Sequence, residues 1–420
     1  MTVALLQPSE RAARVAPFHV MRILERAKVL EAAGRDVIHM EVGEPDFATP
    51  EPMLAAARAA LAERSMGYTP AAGLPRLRQA IAAYYGRRYD LDLDPERVIV
   101  TPGGSGALQL ALAALVDIGD KVLTTDPGYP CNRHMVALVG GRPLSVPVSA
   151  DDGYQLTPAQ AEAHWSDAVR AVMLASPANP TGAVVSREAM ADLHQLTRAR
   201  GAALIVDEIY QGLTYDVDDH TALACGDDNV FVVNSFSKYF GMTGWRLGWL
   251  VAPERFAATL QRLAQNLYLA PPTPAQYAAL AAFEPQTLAM LDQRRDLFRA
   301  RRDALLGALR AIGFRIPSLP AGAFYLYGEI PAACADAETL AERLLEEAGV
   351  AVTPGLDFGS YRADRMIRFA YTTDVDRLLD AAQRIRRSLG LTQGPVEPGR
   401  KASAQTSTHQ VINSSHFPRS

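Results

Sequence analysis

Short apolar runs alternate with amphipathic stretches through the middle of the chain. The runs are RVIVT (97–101), KVLTT (121–125), RAVMLAS (170–176), ALIVDE (203–208), VFVVNS (230–235) and LGWLVA (247–252). Each is too short for a helix and apolar at nearly every position, as a strand buried on both faces must be. Helical periodicity fills the gaps at Ser105–Val116, Ser186–Arg200 and Arg255–Ala264. The alternation predicts an α/β fold whose mainly parallel sheet carries helices on both faces.

The flanks read differently. An amphipathic helix is expected at Val20–Gly34, then an extended VIHMEVGEPDF, then helices at Glu51–Arg64 and Gly73–Arg88. Prolines crowd the chain after Ala270, and a long helical stretch follows at Leu288–Ile312. Two short strands, AFYLYGEI and MIRFAY, have a helix at Ala337–Ala348 between them and one at Asp376–Leu389 after them. The N- and C-terminal parts are therefore expected to form a smaller α+β domain. The expected division is 1–50 (N-terminal arm and part of the small domain), 51–285 (large domain) and 286–390 (C-terminal small domain). Residues 391–420 are polar, without periodicity, and expected to be a disordered tail.

Composition narrows the class. A chain of 420 residues exceeds one ordinary core, which fits two packed domains. The formal charge of −4 gives no reason to expect a nucleic-acid partner. Two charge-free runs, Val98–Val116 and Asn266–Phe283, are broken by proline and glycine, so neither reads as a membrane-spanning helix. The beginning of the chain lacks a basic-then-apolar export pattern. Cys131, Cys225 and Cys334 lie far apart with no CxxC, which suits a reducing, cytoplasmic location. The histidines are scattered without an HxxxH pair, and no metal is expected.

In an open α/β sheet, ligands sit at the carboxyl ends of the strands. Here RVIVT runs into PGGSGAL, KVLTT into DPGYP, RAVMLAS into PANPTG, ALIVD into EIY, and VFVVN into SFSK. Each feature has an ordinary reading: a tight turn for the glycines, a cap for Asp207, core packing for Tyr210 and Tyr129, a turn for Asn179, and a surface charge for Arg246. The glycine loop lacks both the third glycine of a dinucleotide fingerprint and the GK[ST] of a P-loop. All five ordinary readings must hold together to survive. The lysine sharpens the point: the chain uses 38 arginines and only four lysines, Lys28, Lys121, Lys238 and Lys401. A lysine kept where arginine is the habit suggests an amine used as a free base, its pKa lowered by burial or cationic neighbours. Pyridoxal phosphate presents the matching aldehyde. Its phosphate suits N–H groups, hydroxyls and an arginine, its ring nitrogen a carboxylate, and its ring face an aromatic. The sequence holds one candidate for each.

SFSKYFGMTGWRLG resembles the lysine signature of class I/II pyridoxal-phosphate aminotransferases, of the aspartate aminotransferase fold. NPTG, DEIY, PGGSGAL, EVGEPDF, GYTPAAGLPRLRQAI and IRFAY resemble that family's motifs in the family's order, over roughly residues 15–390. The resemblance implies a cofactor, pyridoxal 5'-phosphate, held by Lys238 as an internal aldimine, with the freed lysine moving the proton. It implies that Asp207 pairs with the pyridinium nitrogen, that Tyr210 and Asn179 bond the phenolic oxygen, and that Tyr129 stacks on the ring. Gly104, Ser105, Ser235, Ser237 and Arg246 would hold the phosphate. Arg368, with Arg365 as a nearby rival, would clamp the substrate α-carboxylate, and the Gly43 backbone would line the substrate side. Tyr68 corresponds to a tyrosine lent to a neighbouring subunit, which implies a homodimer with shared active sites. The implied reaction is ping-pong transfer of an amino group from an L-amino acid to a 2-oxo acid.

Three alternatives are weighed beside it. SFSK formally fits S-x-x-K, an acyl-serine motif, but the S-D-N and K-T-G that should accompany it are absent. A C–S or β-lyase on the same fold would share most site residues. A non-catalytic regulator would need an added DNA-binding domain, for which about fourteen residues before the resemblance leave no room. The mostly apolar VAPFHVM (15–21) resembles the segment that covers the substrate in relatives, and it leans the expectation toward neutral or hydrophobic donors.

Overall fold

The structure, a computed structural model, describes residues 6–13, 15–226 and 228–391. The expected disordered tail, apart from Leu391, lies outside the described residues. Twelve strands are present among them: β1 (Ile38–His39), β2 (Val98–Thr101), β3 (Lys121–Asp126), β4 (Arg142–Pro147), β5 (Val169–Ala175), β6 (Ala203–Asp207), β7 (Val230–Ser235), β8 (Gly248–Val251), β9 (Tyr325–Glu329), β10 (Val350–Ala351), β11 (Thr353–Pro354) and β12 (Met366–Ala370).

Seven of them form one sheet in the order β2-β8-β7-β6-β5-β3-β4. β4, β3, β5, β6 and β7 pair parallel, while β8 runs antiparallel to both its neighbours, β7 and β2. The apolar runs are explained by burial on both faces. Val98, Val100, Val172, Leu174, Leu204, Val206, Val232 and Trp249 point into one core, and the alternate residues Ile99, Ala171, Met173, Ala203, Ile205, Phe231, Val233 and Leu250 point into the other. Helices including Gly103–Leu115 and Arg187–Ala199 cover the sheet; Ser186 caps the latter by accepting from Ala189 N–H at 3.2 Å.

The second body uses both ends of the chain. β11, β12 and β9 form an antiparallel sheet, and β1 pairs parallel with β10. Met40 N–H donates to Ala351 C=O and Met40 C=O accepts from Ala370 N–H, so the N-terminal strand is stitched to C-terminal ones. Helices His19–Ala32, Pro285–Ala311 and Val375–Ser388 pack around them.

Several elements depart from expectation. The proline-rich stretch after Ala270 contains the helix Thr273–Leu280, because its proline sits in the first turn, where no N–H is needed. Helix Pro130–Leu138 begins on a proline for the same reason. β4 gave no apolar signal, since Val146 is its one buried residue. VIHMEVGEPDF is strand only at Ile38–His39, and the expected Ala337–Ala348 helix changes after Arg343 to a wider π turn. No helix among the described residues is long and apolar enough to cross a membrane.

Candidate active site

The strand directions decide what meets at the sheet edge. β3, β5, β6 and β7 deliver their carboxyl ends there. β8 runs the other way, so its beginning lies at the same edge: Gly248 pairs with both Thr101 of β2 and Ser235 of β7. The glycine loop after β2, the Ser235–Lys238 segment after β7 and Arg246 before β8 are thereby brought together. Gly103 has φ +75°, a conformation that a side chain would strain, and a Cβ there would stand 2.8 Å from Arg246 Nη2. The helix that starts at Gly103 turns its unpaired first N–H groups toward this edge. Ser237 N–H donates to Ser235 Oγ at 3.1 Å, and the two hydroxyls are 3.0 Å apart. Arg246 is exposed and steadied by Nη1 donating to Thr243 C=O at 3.0 Å.

A pocket opens over this edge, bounded by Gly104, Ser105, Tyr129, Asp207, Ser235, Ser237, Lys238 and Arg246, with Cys131 and Asn132 beside them. Asp207, the last residue of β6, is 5% exposed, and the hydrogen bond it accepts comes from Ile209 N–H at 3.2 Å. Burial pushes this carboxyl up to about 7. A carboxylate so placed is costly as an anion unless a cation joins it. Lys238 Nζ donates to Gly43 C=O at 2.7 Å. Burial brings its ammonium down to about 8; Arg368 and Arg246 push the same way, while Glu44 opposes them.

On the far side of Lys238, Tyr210 and Tyr325 share a hydroxyl–hydroxyl hydrogen bond of 2.8 Å. Gly43 passes so close to Tyr325 that a Cβ would overlap its hydroxyl at 1.7 Å. Arg368, on β12, is 4% exposed. Its Nη1 donates to Asn179 Oδ1 at 2.9 Å, and its Nη2 to Glu41 C=O and to Thr353 Oγ1. Its guanidinium lies 4.4 Å from the Tyr325 ring centroid and 4.7 Å from that of Phe358, while Nε is buried without a hydrogen-bond partner.

These groups fit a phosphorylated pyridine aldehyde. Helix-start N–H groups, two serine hydroxyls and an arginine suit a phosphate. The under-partnered Asp207 suits a protonated ring nitrogen, and an amine that loses its proton near neutrality suits the aldehyde.

Gly43, Gly104, Ser105, Tyr129, Asn179, Asp207, Tyr210, Ser235, Ser237, Lys238, Arg246 and Arg368 gather around this pocket and its substrate side. Tyr68 does not; it is 86% exposed, away from the pocket of its own chain. Arg365 is also elsewhere, donating to the carbonyls of Ile330, Pro331, Cys334 and Ala335. Sequence reading missed Tyr325, Phe358 and the Glu41 carbonyl. Tyr325 belonged to a run read only as strand, and the other two carry no local signal. A larger cavity of about 320 Å³ lies between helices His19–Ala32 and Ala337–Arg343, but its Arg22 and Arg26 are paired with Glu338 and Glu346 and no candidate residue faces it.

Comparison with known proteins agrees with this chemistry. Residues 35–385 match the family model described as aminotransferase class I and II. The valine–pyruvate aminotransferase of Mycobacterium tuberculosis is 38% identical over 374 residues, 89% of this chain and 96% of that protein. A crystal structure of an aminotransferase from the same organism superposes with a TM-score of 0.88 at 36% identity, covering 92% of this chain and all of that one. The aspartate aminotransferase of Thermus thermophilus, solved with maleate, gives 0.87 at 34% identity, covering 91% of this chain and all of the other. The chain belongs to the class I and II aminotransferases, pyridoxal-phosphate-dependent enzymes of the aspartate aminotransferase fold.

Proposed function

We propose that this aminotransferase takes neutral or hydrophobic L-amino acids as donors and passes the amino group to a 2-oxo acid. The observation that carries this reading is the disposition of positive charge. The cations that weigh most on Lys238 are Arg368 and Arg246. Each already has an anion to meet, the substrate α-carboxylate for Arg368 and the cofactor phosphate for Arg246. Aromatic side chains stand on the substrate side: Tyr325 and Phe358 flank Arg368, and Phe18 lies 6.3 Å from Tyr129 between ring centroids. The valine–pyruvate relative supports the same lean. The aspartate relative, on the same fold, means that fold alone does not decide it.

When bound, pyridoxal 5'-phosphate supplies an aldehyde carbon reactive toward amines and a ring that takes up the electron pair left at the substrate α-carbon. The roles of the chain's own residues follow. Lys238 tethers the group through Nζ and, once released, accepts and returns the proton at the substrate α-carbon. With its ammonium brought down to about 8, roughly a tenth of it is free base at pH 7. Asp207 holds the ring nitrogen in its protonated form. Tyr210 and Asn179 donate toward the phenolic oxygen, and Tyr129 covers the ring face. Gly104, Ser105, Ser235, Ser237 and Arg246 hold the phosphate. Arg368 orients the α-carboxylate through a two-pronged bond, and Gly43 lines the substrate side.

The reading extends to the assembly: a homodimer in which Tyr68 of one chain completes the phosphate site of the other. It places the enzyme in the cytoplasm, supported by three unpaired cysteines. It divides the chain into a large domain at 51–285 and a small domain from 1–50 and 286–390. The test of substrate class is a panel of L-amino acids assayed against 2-oxoglutarate and pyruvate. Neutral donors should lead; a strong preference for aspartate over alanine, leucine and the aromatic amino acids would overturn the assignment.

A further inference from the structure

Two buried carboxylates outside the catalytic set converge on one short segment, residues 355–361. Asp126, at the end of β3, is 6% exposed and Asp357 is 3% exposed. The hydrogen bonds to Asp126 come from the segment itself: Ser360 N–H and Ser360 Oγ at 3.0 Å, and Tyr361 N–H at 3.2 Å. The fit is close enough that a Cβ on Gly359 would stand 1.8 Å from Asp126 Oδ1. Two further bonds hold the segment to the same stretch of the large sheet's body, Gly128 N–H to Phe358 C=O at 2.9 Å and Arg133 Nη2 to Asp357 C=O at 3.0 Å. The Asp357 side chain faces the other way. It accepts His19 N–H at 2.9 Å and Val20 N–H at 3.3 Å, the first turn of helix His19–Ala32.

The segment thus ties two elements together, and an aromatic side chain stands at each of them and on the segment itself. Asp126 precedes Tyr129 by three residues, Phe358 lies on Arg368, and Asp357 fixes the helix that begins just after Phe18. Buried carboxylates must keep their donors, and charge-assisted bonds are the stronger kind. The segment therefore cannot shift without leaving a buried carboxyl group short of its donors. We propose that Asp126 and Asp357 are positioning residues: they set the substrate-side wall by pinning residues 355–361 between the cofactor-side strand end and the N-terminal helix. The consequence is selective. Loosening the strap releases Phe358 from Arg368 and Phe18 from Tyr129, so binding of every α-carboxylate substrate weakens, donor and acceptor alike. The phosphate cradle of Gly104, Ser105, Ser235, Ser237 and Arg246 has its own hydrogen bonds, none of them to residues 355–361, and is left alone.

The inference rests on the proposed role of Arg368, and the experiment separates the two. Cofactor-loaded wild type, Asp126→Asn, Asp357→Ala, Asp357→Asn and Arg368→Gln are assayed with the L-amino acid and the 2-oxo acid that rank first in the panels. Asp126→Asn turns an amide donor toward the strap's own donors. Asp357→Ala removes the helix cap, and Asp357→Asn keeps an acceptor for it. The expected result for Asp126→Asn and Asp357→Ala is a KM raised about tenfold for both substrates, with kcat and cofactor affinity within about threefold of wild type; Asp357→Asn should recover most of the loss. If Asp126→Asn does not fold, Gly359→Ala strains the same contact from the other side and should give the same pattern. Unchanged KM in these variants, or a rise in KM matched by equal falls in kcat and cofactor affinity, overturns the strap. With either result, a raised KM in Arg368→Gln leaves the carboxylate role standing. An unchanged KM in Arg368→Gln removes that role and this inference with it.

Discussion

At the scale of single residues, the demands on Lys238 conflict, since it must be amine enough to attack and base enough to take a proton at neutral pH. Its surroundings answer this by burial first and by two nearby arginines second, which bring its ammonium down to about 8. Attachment of pyridoxal phosphate to cofactor-free protein should therefore speed up as pH rises toward about 8 and level off beyond it, because the free amine is the reactive form. Stopped-flow absorbance across pH checks this; a midpoint near the ordinary lysine value would mean burial does not act on this amine. Lys238→Ala should lower turnover by about a thousandfold or more while leaving the circular dichroism unchanged, since tether and proton carrier vanish together. Arg246→Ala should act on a different quantity. It faces the phosphate side of the pocket, so cofactor dissociation should rise by about tenfold or more, with kcat at saturating cofactor changed far less. Equal cofactor affinity in the two proteins would remove Arg246 from the cradle.

At the scale of elements, the same apolar run can mean a strand in either direction, and this set the limit of what sequence could foretell. Runs such as ALIVD and VFVVN were legible because burial on both faces leaves no polar position. β4 was not, because it is an edge strand with most of its side chains in water. The Asp207, Asn179 and Lys238 positions were legible because strand ends carry them in short, distinctive motifs. The convergence of Arg246 depends on the reversal of β8, and the nearness of Tyr325 and Phe358 to Arg368 depends on packing between distant segments; no local pattern encodes either. β1 shows a further contact of this kind. His39 Nδ1 lies 2.7 Å from the fully buried Glu41 and Nε2 lies 3.1 Å from Glu31 of helix His19–Ala32. The hydrogen bond to Glu41 leads in raising the imidazole from 6.5 to about 9. A raised pKa of this sign stabilises the folded state fully below pH 6.5, and the contribution is lost as pH rises through about 9. Wild type should lose more melting temperature than His39→Gln between pH 6 and pH 9.5. Parallel melting curves for the two proteins across that range would exclude the linkage.

At the scale of the whole molecule, the unabsorbed residue is Tyr68. It is 86% exposed and stands apart from the pocket of its own chain, yet its motif sits with the others in the family's order. An aromatic side chain that large, held in water, is readily explained if a second copy covers it. A two-fold dimer makes this concrete, because the same patch on each chain then meets the other and two sites are completed at once. The argument yields a test that needs no structure of the assembly. Lys238→Ala protein has no working amine but an intact Tyr68; Tyr68→Ala protein has the amine but lends nothing. Each alone should be impaired at low cofactor concentration. Refolded together in equal amounts, about half of the dimers are mixed, and each mixed dimer holds one site with both groups. Activity at limiting cofactor should then rise above the sum of the two separate proteins, toward about a quarter of wild type. If Tyr68 serves its own chain or serves no site, mixing gives only that sum, since every working amine would still lack its tyrosine or never have needed it.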